Sequence, residues 1–114
     1  MKREFLDYVE DVIDAMQKAR SFTAGMTWDF FAKDDKTIFA VIRAIEIIGE
    51  AVKKIPPDVK TRYSEMPWQD MAGMRDKLIH EYFGADLKTV WDTVTRDIPA
   101  LLPKFEKIRK DYIT

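Results

Sequence analysis

The segment 34–54 constrains the fold more than any other part of the chain. Pro56 and Pro57 follow it, and neither can continue helical hydrogen bonding. We therefore predict a central helix that begins at Asp34 or Asp35, either of which can cap it, and runs to about Lys54. A helix that is apolar over most of its circumference must be buried by its neighbours. The apolar residues of this one recur at three- and four-residue spacing: Ile38, Ala40, Val41, Ala44, Ile45, Ile47, Ile48, Ala51 and Val52.

Three more stretches carry apolar residues at helical spacing and predict helices around the central one. The first covers about 3–20, the third about 67–83, and the fourth begins after Asp86, which can cap it. Pro99 and Pro103 interrupt hydrogen bonds in the fourth, so we expect a kink or restart near Asp97. No long stretch alternates with a period of two. The prediction is an all-α fold, a four-to-five-helix up-and-down bundle with a kinked C-terminal helix.

Two shorter elements are expected in the connections. Thr27 can cap a short helix that carries Trp28, Phe30 and Phe31. These three aromatic side chains are most simply explained as a lid over one end of the core. The segment 58–63 can form one helical turn.

Length and composition limit the class of protein. The 114 residues are 46% hydrophobic and 34% charged, which predicts one folded domain over 1–114. A net charge of −1 argues against a broad nucleic-acid-coating surface but allows a local basic groove, and 104–110 is the most basic stretch. The chain has no cysteine, no long apolar run and a charged N-terminus. We expect a cytoplasmic protein without a membrane span.

The run 75–84 concentrates polar groups and holds the only histidine of the chain. Arg75 and His80 are separated by about 140° around a helix and about 7.5 Å along it, so they do not share a face. Arg75 does share a face with Tyr82, and Asp76 shares one with His80. The arginine and histidine can therefore converge by side-chain reach, or through a second copy of the helix across a two-fold axis.

These residue types can support phosphodiester chemistry. An imidazole titrates near neutrality and can act as acid or base, and a guanidinium can hold a phosphate through two hydrogen bonds. Those are the parts needed for attack by an RNA 2′-hydroxyl on the adjacent phosphate. Asp76 can orient the His80 imidazole. One histidine and no cysteine argue against a transition-metal site, so we expect no metal and no cofactor. The alternative to a catalytic role is a structural one. His80 would then cap a helix end or pack at the surface, and Arg75 would pair with an acidic residue.

A charged stripe interrupts the apolar central helix. Arg43, Glu46 and Glu50 lie at i, i+3 and i+7, on one side of that helix. Two interpretations stay open. The stripe can be a solvated face with an Arg43–Glu46 pair, or a polar wall that faces the site around His80.

The motif Arg75-x4-His80-x-Tyr82 resembles that of HEPN-domain proteins, specifically the HepT-like toxins of HepT/MntA toxin–antitoxin pairs. The resemblance covers about 3–110 and includes further stretches: 40–51, Pro67-Trp68, 72–75, 80–84 and Val90-Trp91.

This resemblance implies an all-helical HEPN fold and a homodimer with the motif at its interface. It also implies a metal-independent endoribonuclease in which Arg75 and His80 are catalytic, with Asp76 as the polar residue after the arginine. Tyr82 is then the position that an MntA-like nucleotidyltransferase antitoxin adenylylates. Arg43 and Glu46 are candidate supporting residues. The alternatives are a non-catalytic subunit that binds nucleotide or substrate for a partner nucleotidyltransferase, and a purely structural helical dimer.

Overall fold

The computed structural model describes residues 4–81 and 86–113, with only the backbone at 75–81 and 113. Every regular element in these ranges is helical, which confirms the all-α prediction. These ranges hold four long helices and two short ones, because the last three elements form one continuous helix. In chain order the elements are α1 (Phe5–Thr23), α2 (Trp28–Phe31), α3 (Asp35–Lys53), α4 (Pro57–Arg62), α5 (Trp68–Glu81), α6 (Leu87–Asp92), a π-helical segment (Thr93–Asp97) and α7 (Ile98–Ile113).

α1 runs antiparallel to α3 and to α7, as the up-and-down prediction requires. α1 packs against α3 and α7, and α3 also packs against α5. The Phe5 ring meets the Tyr112 ring edge-on at 4.7 Å, so the start of α1 lies beside the end of α7. Lys54, just after α3, lies 5.7 Å from the Tyr8 ring. Both contacts make α1 antiparallel to its neighbours.

One cluster of buried side chains joins these helices. It contains residues from each long helix, and the largest fully buried members include Phe31, Phe105, Met16 and Ile45. Burial of this apolar area is the main source of stability in such a fold. No helix in the described ranges is long and apolar enough to cross a bilayer.

Asp34 is the residue that caps α3. Its carboxylate accepts a hydrogen bond from the Thr37 backbone N–H at 3.3 Å and another from the Thr37 hydroxyl at 2.9 Å. The expected cap of α6 is also present, since Asp86 accepts from the Thr89 N–H at 3.1 Å. These bonds satisfy backbone donors that the first turn of a helix leaves without partners.

The interruption expected near Asp97 is a π-helical segment rather than a restart. The Ile98 N–H donates to the Thr93 carbonyl, five residues earlier. Thr93 and Thr95 each donate their hydroxyl to the carbonyl four residues earlier, at 2.9 and 2.8 Å. Pro99 has no N–H to donate and its ring needs space at the carbonyl four residues before it. The wider turn accommodates the proline without breaking the helix.

The short helix α2 differs from the expected three-residue aromatic lid. Phe31 is fully buried and Trp28 is half-buried, but Phe30 is 62% exposed, so the prediction was wrong for Phe30. Trp28 and Phe31 are three residues apart and share a face. Phe30 lies about 200° from Trp28 around the same single turn, so it must point elsewhere.

Candidate functional site

Arg75, Asp76 and His80 lie on α5, in the third helix predicted from the sequence. The backbone of Arg75, Asp76 and His80 is helical, within Trp68–Glu81. The side chains of these three residues, and Tyr82 and Gly84 as a whole, lie outside the described residues. The described side chains around α5 therefore define how the motif helix is held.

The start of α5 is anchored by its first residue. The Trp68 indole N–H donates to the carbonyls of Tyr63 at 3.0 Å and Lys60 at 3.2 Å. Its ring meets Phe105 of α7 edge-on at 5.7 Å. Tyr63 in turn donates its hydroxyl to the Asp111 carboxylate at 2.7 Å. These contacts fix the beginning of the motif helix to α4 and α7.

The Tyr63–Asp111 hydrogen bond has a consequence for stability. Burial, and then the hydrogen bond to Asp111, raise the pKa of Tyr63 to about 12 from 10.0. A pKa that is higher in the folded state favours folding while the phenol stays protonated. This contribution is complete below about pH 10 and is lost as the pH rises towards 12.

We therefore expect Tyr63→Phe to lower the free energy of unfolding by about 1.5–3 kcal/mol at neutral pH, because a bond to a charged acceptor is lost. The variant should also lose less stability than the wild type between pH 10 and 12. Urea denaturation across this pH range measures both effects. Equal stability of the two proteins at pH 7 would contradict the structural role of this bond.

An aromatic cluster holds α6, the helix that follows the motif in the chain. The Trp91 ring of α6 lies 5.0 Å from Phe31 and 6.5 Å from Trp28. Lys88 stacks over Trp28 at 5.2 Å. The aromatic residues of α2 thus fix the helix that follows the motif. This role could not be predicted from the sequence.

A groove of about 280 Å³ lies where α5 faces the start of α7. Met74, the residue before Arg75, is one of its lining residues. Asp70 and Asp97 are both exposed and repel an anion here, so this groove does not suit a phosphate. The side chains described in the structure include no cluster of three potential metal ligands. The groove is lined by Pro67, Asp70, Met71, Met74, Asp97, Ala100 and Leu101.

The charged stripe of α3 has a different pairing from the one considered first. Arg43 forms an ion pair with Glu50 at 3.7 Å, rather than with Glu46. The side chains of both partners are well exposed, at 60% and 42%. The other interpretation, a polar wall that faces His80, involves a side chain outside the described residues and stays a prediction.

Comparisons with known proteins agree on one family. The family model described as "Ribonuclease HepT-like" matches residues 12–108. The chain is 54% identical to "Probable ribonuclease HepT" of Thermococcus cleftensis, over 96% of this chain and 100% of that protein. It is 46% identical to "Putative RNase MJ0125" of Methanocaldococcus jannaschii, over 96% and 95% of the two chains. No solved structure matches.

The match includes the whole motif helix and the whole of α3, and it covers most of α1 and of the last long helix. It supports a ribonuclease function, and the all-helical fold is consistent with it. The Arg75-x4-His80-x-Tyr82 motif lies inside the matched region. The chain belongs to the HepT-like ribonuclease family.

Proposed function

We propose that this protein is a metal-independent endoribonuclease, the toxin of a toxin–antitoxin pair, which cuts RNA at a cleft between two copies of the chain. One observation carries the proposal: an intact Arg75-x4-His80-x-Tyr82 motif, with Arg75 and His80 on one helix, in a chain that belongs to the HepT-like ribonuclease family. The remaining details are argued from the chemistry of these residues.

The reaction is an internal displacement at phosphorus. The 2′-oxygen attacks the adjacent phosphate, the bond from phosphorus to the 2′-oxygen forms, and the bond to the 5′-oxygen breaks. A base takes the 2′-hydroxyl proton and an acid protonates the leaving 5′-oxygen. Each chain has one histidine, so a two-fold cleft supplies His80 twice, once for each proton transfer. Arg75 offsets the charge that develops on the phosphate.

Supporting roles follow from position in the helices. Asp76 precedes His80 by one helical turn and can orient its imidazole. Arg43 and Glu46 belong to α3, which packs against the motif helix. We assign them to shaping the cleft rather than to proton transfer.

RNA binding must rely on local cations, because the chain carries a net charge of −1. Lys104 and Lys107 are exposed on α7, three residues apart on the same side of the helix. Among the ion pairs of the described side chains, neither lysine takes part in one. They are suitable contacts for an RNA backbone outside the cleft.

Tyr82 is the proposed control point. An MntA-like nucleotidyltransferase antitoxin would transfer AMP from ATP to the phenol oxygen, with release of pyrophosphate. The added phosphate is negative and the nucleotide is bulky, so RNA would be repelled and blocked two residues from His80.

The test is incubation of the purified protein with RNA, and with DNA of the same sequence, in the presence of EDTA. We expect cleavage of the RNA alone, and loss of cleavage in Arg75→Ala and His80→Ala. Variants that cleave as fast as the wild type would overturn the residue assignment. Tight nucleotide binding without any RNA cleavage would favour the nucleotide-binding subunit instead.

A further inference from the structure

Trp68 is the first residue of α5, and its side chain ties this helix to two others. The indole N–H donates to the Lys60 and Tyr63 carbonyls, at 3.2 and 3.0 Å. Both carbonyls lie at the end of α4, where helical carbonyls lack partners within their own helix. The indole ring meets the buried Phe105 ring of α7 edge-on at 5.7 Å. The hydrogen bonds thus restrict movement of α5 along its axis, and the ring contact restricts its rotation.

The connection into α5 is also held by backbone hydrogen bonds. The Met66 N–H donates to the Tyr63 carbonyl at 3.0 Å, and the Trp68 N–H donates to the Met66 carbonyl at 2.9 Å. A bond from the Met71 N–H to the Pro67 carbonyl, at 3.0 Å, then begins the helical pattern. The short path from α4 is thereby held at both ends, and the indole adds two side-chain bonds to it.

The packed side of α5 includes the position of Arg75. The residues that define this side are buried or half-buried: Trp68, Met71, Ala72 and Met74. They cover an arc of about 160° on the helix, and Arg75 falls near the middle of this arc, about 20° from Trp68. A side chain that leaves the helix here can reach a phosphate only past the neighbouring helices.

The position of His80 is on the other side of the same helix. Gly73 is exposed, and a Cβ built on it would meet no atom of the described part of the chain within 4 Å. His80 lies within about 20° of Gly73 around the helix, so it starts from this open side. The two residues therefore depend differently on the packing of α5, and Arg75 depends on it more.

Small rotations of α5 matter at Arg75 because an arginine side chain is long. The guanidinium of an extended arginine lies roughly 9 Å from the helix axis, so a rotation of about 10° moves it by about 1.5 Å. A misplacement of about 1 Å in a group that positions a substrate can cost about 100-fold in rate. Trp68 is only two turns before Arg75, so its hold on the rotation extends to that position.

We infer that Trp68 is a positioning residue for RNA cleavage. Its indole, held by the end of α4 and by Phe105, sets the rotation of α5 and through it the place of the Arg75 guanidinium at the phosphate. The inference rests on the proposed function and adds to it a residue that does not touch the RNA.

The test compares two changes at this tryptophan. Trp68→Phe removes the indole N–H and part of the ring. Incorporation of benzothienylalanine in place of Trp68 removes the N–H alone, because sulfur replaces nitrogen in a ring of the same shape. Each change should lower kcat for RNA cleavage by about 10- to 100-fold and leave KM within about two-fold of the wild-type value. Steady-state cleavage with EDTA present measures both constants.

A double-mutant cycle separates positioning from a general loss of stability. In the Arg75→Ala background, Trp68→Phe should lower kcat by no more than about two-fold further, because the group that it positions is gone. An equal factor in both backgrounds would show that Trp68 does not act through Arg75, and would overturn the inference.

Ile13→Val is the control for stability, since it removes one methyl group from a buried side chain of α1. It should lower the urea midpoint and leave kcat unchanged. Hydrogen exchange followed by mass spectrometry should be faster over 68–81 in both Trp68 variants and unchanged there in Ile13→Val.

The outcomes distinguish this inference from the proposed function. If the wild type cuts RNA and both Trp68 variants keep its kcat, the inference is wrong and the ribonuclease stands. A wild type that cuts no RNA would contradict the proposed function and, with it, any role of Trp68 in cleavage. Unchanged exchange over 68–81 in both Trp68 variants would contradict the anchoring of α5 whether or not RNA is cut.

Discussion

His80→Ala is expected to lower kcat for RNA cleavage by about 10²- to 10⁴-fold, the range for loss of a general acid or base. The effect should be near the upper end, because a two-fold cleft loses both imidazoles at once. Arg75→Ala should cost about 10²- to 10³-fold, as for other groups that stabilise developing charge. Steady-state cleavage of a short labelled RNA, with EDTA present, measures both.

Two controls separate chemistry from folding. Arg20→Ala removes an exposed arginine at the end of α1 and should leave kcat unchanged. Arg75→Lys keeps the charge but not the two-point contact with phosphate, so its rate should fall between those of the wild type and the alanine variant. Unchanged urea denaturation of each variant confirms the fold. If both alanine variants cleave RNA at the wild-type rate, the motif takes no part in the mechanism.

Phe105→Ala is expected to lower the free energy of unfolding by about 3–5 kcal/mol, the usual cost of removing a buried aromatic side chain. Phe105 is fully buried, and Trp68, the anchor of the motif helix, packs against it at 5.7 Å. Since a domain of this kind is stable by only about 5–15 kcal/mol, the loss is a large fraction. Urea denaturation gives the value directly.

Phe30→Ala is the matched control. It deletes the same side chain from a position that is 62% exposed, so the expected change is within about 0.5 kcal/mol. Similar losses of stability in the two variants would contradict the core. They would mean that the buried Phe105 side chain, beside the first residue of α5, contributes no more than an exposed side chain.

The helices could be predicted because their causes are local. The apolar spacing of 34–54 required a buried helix, and Asp34 and Asp86 are capping residues next to such patterns. The two prolines of the last helix signalled an interruption, but its form could not be predicted. The π-helical segment depends on how Pro99 meets the previous turn and on threonine hydroxyls that bond back along the helix.

Contacts between residues that are distant in the chain could not be predicted from local sequence patterns. Tyr63 and Asp111 are 48 residues apart, and only the packing of α4 on α7 brings them together. The Arg43–Glu50 pair was missed because the shorter spacing to Glu46 suits a helix equally well. For the candidate site, spacing separated Arg75 from His80 by about 140°. Their joint action therefore requires a second copy of the chain or long side-chain reach. The spacing of residues in the sequence cannot distinguish these two arrangements.

The central claim is that an RNA 2′-hydroxyl is the nucleophile and that His80 and Arg75 promote its attack. The most direct measurement is cleavage, with EDTA present, of an RNA that carries one 2′-deoxyribose at the mapped cut site. The unmodified RNA should give a 2′,3′-cyclic phosphate and a 5′-hydroxyl, and the modified RNA should stay intact at that position. Cleavage of both substrates at the same rate would contradict the proposed mechanism.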